Sequence, residues 1–303
     1  MANIMIDTTI VLENLRFAES PSQGPDGFIY TSDFYAHQVL RVNPDDWKTE
    51  VVATVPAQPS GLGWLPDGRL LVVSMRDLKL LRLENDGSLS VHADLSSVAR
   101  GSANDMHVDK EGRAWVGSFG FDFYALLQAD PEADPLFGPG ANPPTADIAR
   151  VDPDGGVHRA AEGLRFPNGT VELSDGTVVI AETVGACLTA FNISDDGRLT
   201  NRRCWMDLNS CGPNGERVLP DGICLDSEDG IWISDPAHSR AIRIDRDARI
   251  TNTVATSQPC FAVGLGGADR RTLICCTAQT SNPNIAAKLR TGKLETARAA
   301  VPG

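Results

Sequence analysis

A short phrase recurs about every fifty residues along this chain of 303. Each copy is a turn closed by Gly, a β-rich apolar run, and a second strand that ends in another turn. The copies open at Pro25-Asp26-Gly27, Pro66-Asp67-Gly68, Lys110-Glu111-Gly112, Ser174-Asp175-Gly176 and Glu228-Asp229-Gly230, with a degraded sixth at Ala268-Asp269-Arg270-Arg271. Runs such as Leu70-Leu71-Val72-Val73-Ser74 and Ile231-Trp232-Ile233-Ser234 follow the turns. A self-similar unit of this length, built of short strands, is the signature of a ring of blades. Six copies predict an all-β, six-bladed β-propeller that occupies 1–303 as one domain.

The turn glycine also works as a ruler. Eight residues upstream of it stand Glu19, Ser60, Asn104 and Asn168 in blades one to four. Blade five carries one extra turn residue, so nine steps lead to Asp221; blade six lands near Phe261 and Ala262. These positions are expected to open the innermost strands and to converge on the mouth of the central channel. Two carboxylates at close range repel unless a positive charge or a shared proton lies between them. Carboxylates and amides without thiolate or imidazole are the donor set that a hard divalent cation selects, so a central metal site at the channel mouth is expected.

Composition narrows the function classes. Net charge is −13, and Lys and Arg never gather into a stripe, which argues against nucleic acid or an anionic membrane as partner. The start Met1–Asp7 lacks the basic and apolar regions of a secretory leader, and no apolar stretch approaches a membrane span. Seven cysteines without pairwise spacing read as free thiols, so a cytoplasmic protein is expected. There is no Gly-x-Ser-x-Gly elbow, no P-loop and no dinucleotide fingerprint.

Phe17-Ala18-Glu19-Ser20-Pro21, Ala103-Asn104-Asp105, Phe166-Pro167-Asn168-Gly169 and Leu219-Pro220-Asp221-Gly222, with the ending Gly292-Lys293-Leu294-Glu295-Thr296, form an ordered set. The set resembles the gluconolactonase/regucalcin (senescence-marker-protein) family of six-bladed propeller lactonases. That resemblance implies one divalent cation at the channel mouth, held by Glu19, Asn168 and Asp221. It further implies that Asn104 touches the metal or its substrate and that Asp221 is the catalytic carboxylate. Calcium is the first expectation; Zn²⁺, Mn²⁺, Mg²⁺ and Fe²⁺ suit the same donors. Animal members carry an arginine two residues before the blade-three Asn, where this chain has Ser102; Arg100 is the nearest candidate to replace it.

The expected activity is hydrolysis of a small lactone to its hydroxy acid, with the metal polarising the carbonyl and Asp221 as general base. The alternatives are an organophosphate or aryl ester hydrolase on the same site, and a non-catalytic calcium- or ligand-binding propeller. An insertion at about 120–146 breaks the repeat after the second strand of blade three, on the metal face, where a lid belongs. Its Phe121, Phe123 and Tyr124 are candidates to cover an apolar substrate, and the loop 201–219 is expected to border the same pocket. Ser60 is a candidate for the surroundings of the metal, and His238 for a second acid–base group.

Overall fold

The computed structural model describes residues 4–212 and 214–303; residues 1–3, part of the start read above for a leader, and residue 213 lie outside the description. Six sheets form a ring, five of them antiparallel with four strands and one of five strands. Their innermost strands are Ala18–Gln23, Pro59–Trp64, Ala103–Val108, Pro167–Glu172, Ile223–Leu225 and Cys260–Gly266. Each packs against the next around the circle, and Cys260–Gly266 returns to Ala18–Gln23, so the protein is an all-β six-bladed propeller.

Second strands explain the apolar runs. Leu70–Ser74, Val178–Glu182 and Ile231–Asp235 are buried at every position, because neighbouring blades cover both faces. Fully burying each Val, Leu or Ile contributes about 1.5–3 kcal/mol, which makes the spaces between blades the core of the molecule. Trp115 and Trp232 fill two of them at 1% exposure.

The ring closes through its beginning. Thr9–Leu15 pairs with Gly292–Arg298 and becomes the outermost strand of blade six, while Ile4–Asp7 adds a parallel fifth strand to blade five. Glu295, fully buried, accepts hydrogen bonds from the hydroxyls of Thr8 (2.5 Å), Ser257 (2.7 Å) and Thr277 (2.7 Å), so its charge is compensated where the closure is made.

The ruler has a conformational basis. In each turn one residue adopts the left-handed conformation: Gly27, Gly68, Gly112, Gly176, then Asp229 and Arg270. Each donates its N–H to the carbonyl three residues back. Blade five therefore has no extra residue; Asp229 takes the left-handed place, which Asp tolerates better than most side chains. Counted from these residues, the interval is eight in all six blades and ends on Glu19, Ser60, Asn104, Asn168, Asp221 and Ala262. Strand pairing breaks close to those positions, between Glu19 and Ser22, Pro59 and Leu62, Ala103 and Met106, Pro167 and Thr170, and Cys260 and Ala262. Such bulges bend a strand end and re-aim its side chains. Asp221 differs, standing two residues before its strand rather than within it.

Glycines in the motifs let these strand ends crowd together. A Cβ on Gly169 would lie 2.4 Å from the backbone nitrogen of Ile223 in the next blade, and the Gly169 N–H donates to the Asp221 carbonyl at 3.3 Å. Gly169→Ala is expected to destabilise the protein by roughly 1–3 kcal/mol, read from the midpoint of denaturant unfolding. An unchanged midpoint would show that the blades can part at no cost.

Candidate active site at the channel mouth

The bulged strand ends bring Glu19, Asn104, Asn168 and Asp221 to the floor of one cavity of about 380 Å³. Glu19, Asn104 and Asn168 are buried at 4–5% exposure, and Asp221 is half-buried. A relay of hydrogen bonds crosses this floor. Ser60 Oγ donates to Asn104 Oδ1 at 3.0 Å, and Asn104 Nδ2 donates to Asn168 Oδ1 at 2.9 Å. Asn168 Nδ2 then donates to Asp221 Oδ1 and, at 3.2 Å, to Thr183 Oγ1, which passes its own proton to the Pro220 carbonyl at 2.6 Å. The relay fixes both amide orientations, and each amide oxygen keeps a second lone pair.

Electrostatics single out three acids. Burial, with the charges of Asp221 and Asp105, pushes the Glu19 carboxyl well above its ordinary range. Burial and the Asp105 charge do the same to Asp221, against the opposing hydrogen bond from Asn168. Asp105 is itself pushed up to about 6 by burial, with a hydrogen bond to Ser20 working the other way. It is 8% exposed and faces a second cavity of about 470 Å³, the channel shaft beneath the floor. Sequence reading passed over Asp105 as a turn residue. The signal was its place directly after the ruler position, where the other blades carry Ser20, Gly61, Gly169, Gly222 and Val263, none of them charged.

Over this floor stand walls of aromatic rings. Phe17, Phe34, Phe119, Phe123, Phe166 and Phe261 line the cavity and belong to one packed cluster. Phe17 is oriented by Asp33, whose carboxylate accepts the N–H groups of Arg16 (3.0 Å) and Phe17 (2.9 Å); Glu182 does the same for Arg165 (2.6 Å), one residue before Phe166. Tyr124, in helix α1 (Phe123–Ala129), also reaches the cavity, and its hydroxyl accepts a hydrogen bond from Gln58 at 2.6 Å. Helix α1 begins at Asp122, which caps the Ala125 N–H. A second short helix, α2 (Pro283–Ala286), meets it from blade six: Asn284 donates to the Leu127 carbonyl at 3.0 Å and Asn282 to that of Pro131 at 3.1 Å. The stretch 279–281, just before α2, lines the rim.

Four expectations need correcting. Phe121 does not line the cavity: its ring packs against the wall rings Phe123 and Phe166 and borders a separate surface hollow with Pro135 and Pro139. Arg100 does not replace the expected arginine; its guanidinium is tied to the carbonyls of Ser96 and Ala99, both at 2.8 Å. His238 is held by the Asp235 carboxylate at 2.9 Å, and only its neighbours Pro236 and Ala237 reach the cavity wall. Of the loop 201–219, expected to border the pocket, residues 201–207 instead belong to the outermost strand Leu199–Asp207 of blade four, and among the described residues of the loop only Leu219 lines the cavity. All seven cysteines are free. No helix among the described residues is long and apolar enough to cross a membrane.

Fold and floor together define a six-bladed propeller with an acid–amide site at one channel mouth. The chain belongs to the SMP-30/gluconolactonase/LRE-like family, whose profile matches residues 17–279. Solved structures are similar over nearly the full length. A gluconolactonase from Xanthomonas campestris is 22% identical, covering 97% of this chain and 89% of its own, with a TM-score of 0.72. The calcium-binding protein regucalcin from Agrobacterium tumefaciens is 18% identical, with coverages of 100% and 97% and a TM-score of 0.75. A luciferin-regenerating enzyme is 17% identical, with coverages of 98% and 97% and a TM-score of 0.77. At these identities the likeness speaks for the fold. A comparison with curated proteins found no match.

The raised Asp105 makes a pH prediction. Its folded pKa of about 6 lies above its ordinary 3.8, so the neutral acid favours the fold. That contribution is complete below pH 4 and is lost as the pH rises through about 6. In chelator-treated protein, Asp105→Asn is expected to match the wild type near pH 4. By pH 7 it should become more stable by about 3 kcal/mol, seen as a Tm gap that opens across this range. A gap constant with pH would show that Asp105 is not held neutral.

Proposed function

We propose that the protein is a metal-dependent lactonase that hydrolyses a small cyclic ester to its hydroxy acid. The observation that carries this reading is the set of mutually repelling acids, two of them on the floor of the apolar cavity beside two oriented amides. Among the described residues no three His, Cys, Asp or Glu side chains are grouped closely enough to hold a metal alone. A cation here would depend on the amides: Glu19 and Asp221 supply charge, Asn168 and Asn104 supply carbonyl oxygens, and water completes the shell. That all-oxygen set fits calcium first and tolerates Mg²⁺, Mn²⁺, Zn²⁺ or Fe²⁺. When bound, the cation would neutralise the repulsion and polarise the ester carbonyl.

The protein's own groups then divide the work. Asp221 Oδ1 is engaged by Asn168, and its other oxygen makes no hydrogen bond to the described residues. That oxygen takes a proton from water as the water oxygen attacks the carbonyl carbon. The ring C–O bond breaks, and the departing alkoxide recovers the proton, giving the hydroxy acid. Ser60 and Asn104 hold Asn168 in the orientation this requires. The insertion at about 120–146, clasped by α2, acts as a lid that keeps bulk water from the floor.

Proton release is the direct assay, run on metal-stripped protein with single divalent ions restored and a panel of lactones. Turnover should require the metal, with calcium restoring it, and Asp221→Asn should lower kcat by roughly 10²–10⁴-fold. Tight metal binding without turnover of any lactone would instead leave a binding propeller.

A further inference from the structure

The walls above the floor carry information about the substrate that the acids do not. The Phe17 and Phe261 rings lie 4.8 Å apart at the junction of blades one and six; Phe119 and Phe166 stack at 4.8 Å and 23° at the junction of blades three and four. In a closed ring of six blades these junctions are diametrically opposite. Two aromatic pairs therefore face each other across the mouth, with Phe123 and Tyr124 above.

Polar partners are few on the walls between the floor and the rim stretch 279–281. Among the described residues the wall contains no Lys, Arg or His. Two arginines are engaged by rings of the lining: Arg76 lies 4.0 Å over Tyr124, and Arg217 lies 5.9 Å over Phe137. Ser102 is buried at 1% exposure, too short and too enclosed to reach the cavity. Of the wall hydroxyls, Tyr35 donates to the Ser281 carbonyl at 2.8 Å, Thr183 donates to Pro220 at 2.6 Å and Tyr124 is bonded to Gln58 at 2.6 Å, so the polar groups left above the floor are those of the rim, Gln279, Thr280 and Ser281. Each ring hydroxyl stranded against such walls costs roughly tenfold in affinity, whereas an aryl ring gains contact with both pairs.

We infer that the site selects a lactone fused to an aromatic ring over a polyhydroxylated sugar lactone, a deepening that rests on the lactonase reading above. The ester end meets the acid–amide floor, and the aryl ring occupies the space between the two phenylalanine pairs. The hydroxy acid formed carries a new carboxylate with no basic side chain on the walls to retain it, which favours release.

The test pairs turnover with binding. Calcium-loaded protein is assayed with dihydrocoumarin, glucono-δ-lactone and γ-nonalactone, after subtraction of spontaneous hydrolysis. Calorimetry then follows two non-hydrolysable lactams, 3,4-dihydroquinolin-2-one and δ-gluconolactam. The expected result is a kcat/KM for dihydrocoumarin at least about 100-fold above glucono-δ-lactone, with the quinolinone alone binding. Phe123→Ala and, as a volume-conserving second variant, Phe119→Leu should each cut the dihydrocoumarin rate while leaving the fold intact by circular dichroism. Equal or better turnover of glucono-δ-lactone or γ-nonalactone would overturn the aryl preference and leave lactone hydrolysis standing. Binding of the quinolinone without turnover of any lactone would uphold the aryl site and sink the hydrolase. Neither binding nor turnover would overturn both.

Discussion

Mutual repulsion among three carboxylates, two buried and one half-buried, is the constraint around which this propeller is arranged. Glu19, Asp105 and Asp221 come from blades one, three and five, alternate members of the ring, and closure of the ring alone brings them within each other's field. In water such acids would ignore one another beyond a Debye length, but behind walls of phenylalanine their fields are poorly screened. Aromatic burial and charge are thus one device: the rings that make the cavity apolar also make the floor reactive. Blades two to four contribute the neutral counterpart, in which Ser60, Asn104 and Asn168 align their dipoles toward Asp221. A fixed set of dipoles needs no reorganisation when charge develops near it, which is the basis of electrostatic catalysis.

Much of this was legible because a repeated blade lets the sequence be read against itself. The interval of eight located Glu19, Asn104 and Asn168, and nine steps from Gly230 led to Asp221; the structure shows that the interval is eight there too, because it runs from the left-handed turn residue, Asp229 in blade five, to the approach of the inner strand. What escaped was one step away from the same marks. Two residues before the floor positions lie Phe17 and Phe166, and the residues that follow the second strands of blades one and three are Phe34 and Phe119. Those marks trace most of the aromatic wall, although in any one blade an aromatic near a strand end looks like ordinary core. Asp105 was hidden for the opposite reason, since Asp beside Asn is what a turn usually contains.

Misplaced residues share a cause. Arg100, Phe121 and His238 are close in sequence to the site, and each has a better partner than the cavity: two carbonyls, a neighbouring ring and a buried carboxylate. A guanidinium or imidazole with such partners gains nothing by turning toward a wall of phenylalanine. Sequence proximity to a strand end tells which face of the propeller a residue occupies. Which way its side chain turns is decided by the partners packed around it, and these come from other blades.

Phe166 shows how fold and site meet in one residue. Its φ of 60° is a conformation that a bulky side chain rarely adopts, at a cost of order 1–3 kcal/mol. Local hydrogen bonds hold it there: the Arg165 N–H to Glu182 at 2.6 Å and the Thr183 N–H to the Phe166 carbonyl at 3.1 Å. The left-handed turn accompanies two simultaneous placements, with Phe166 against Phe119 and, two residues on, Asn168 against Asp221. A glycine would relieve the strain and lose the ring. Retaining phenylalanine is consistent with a site that depends on both the wall and the floor, and six blades of buried second strands supply stability enough to carry the strain.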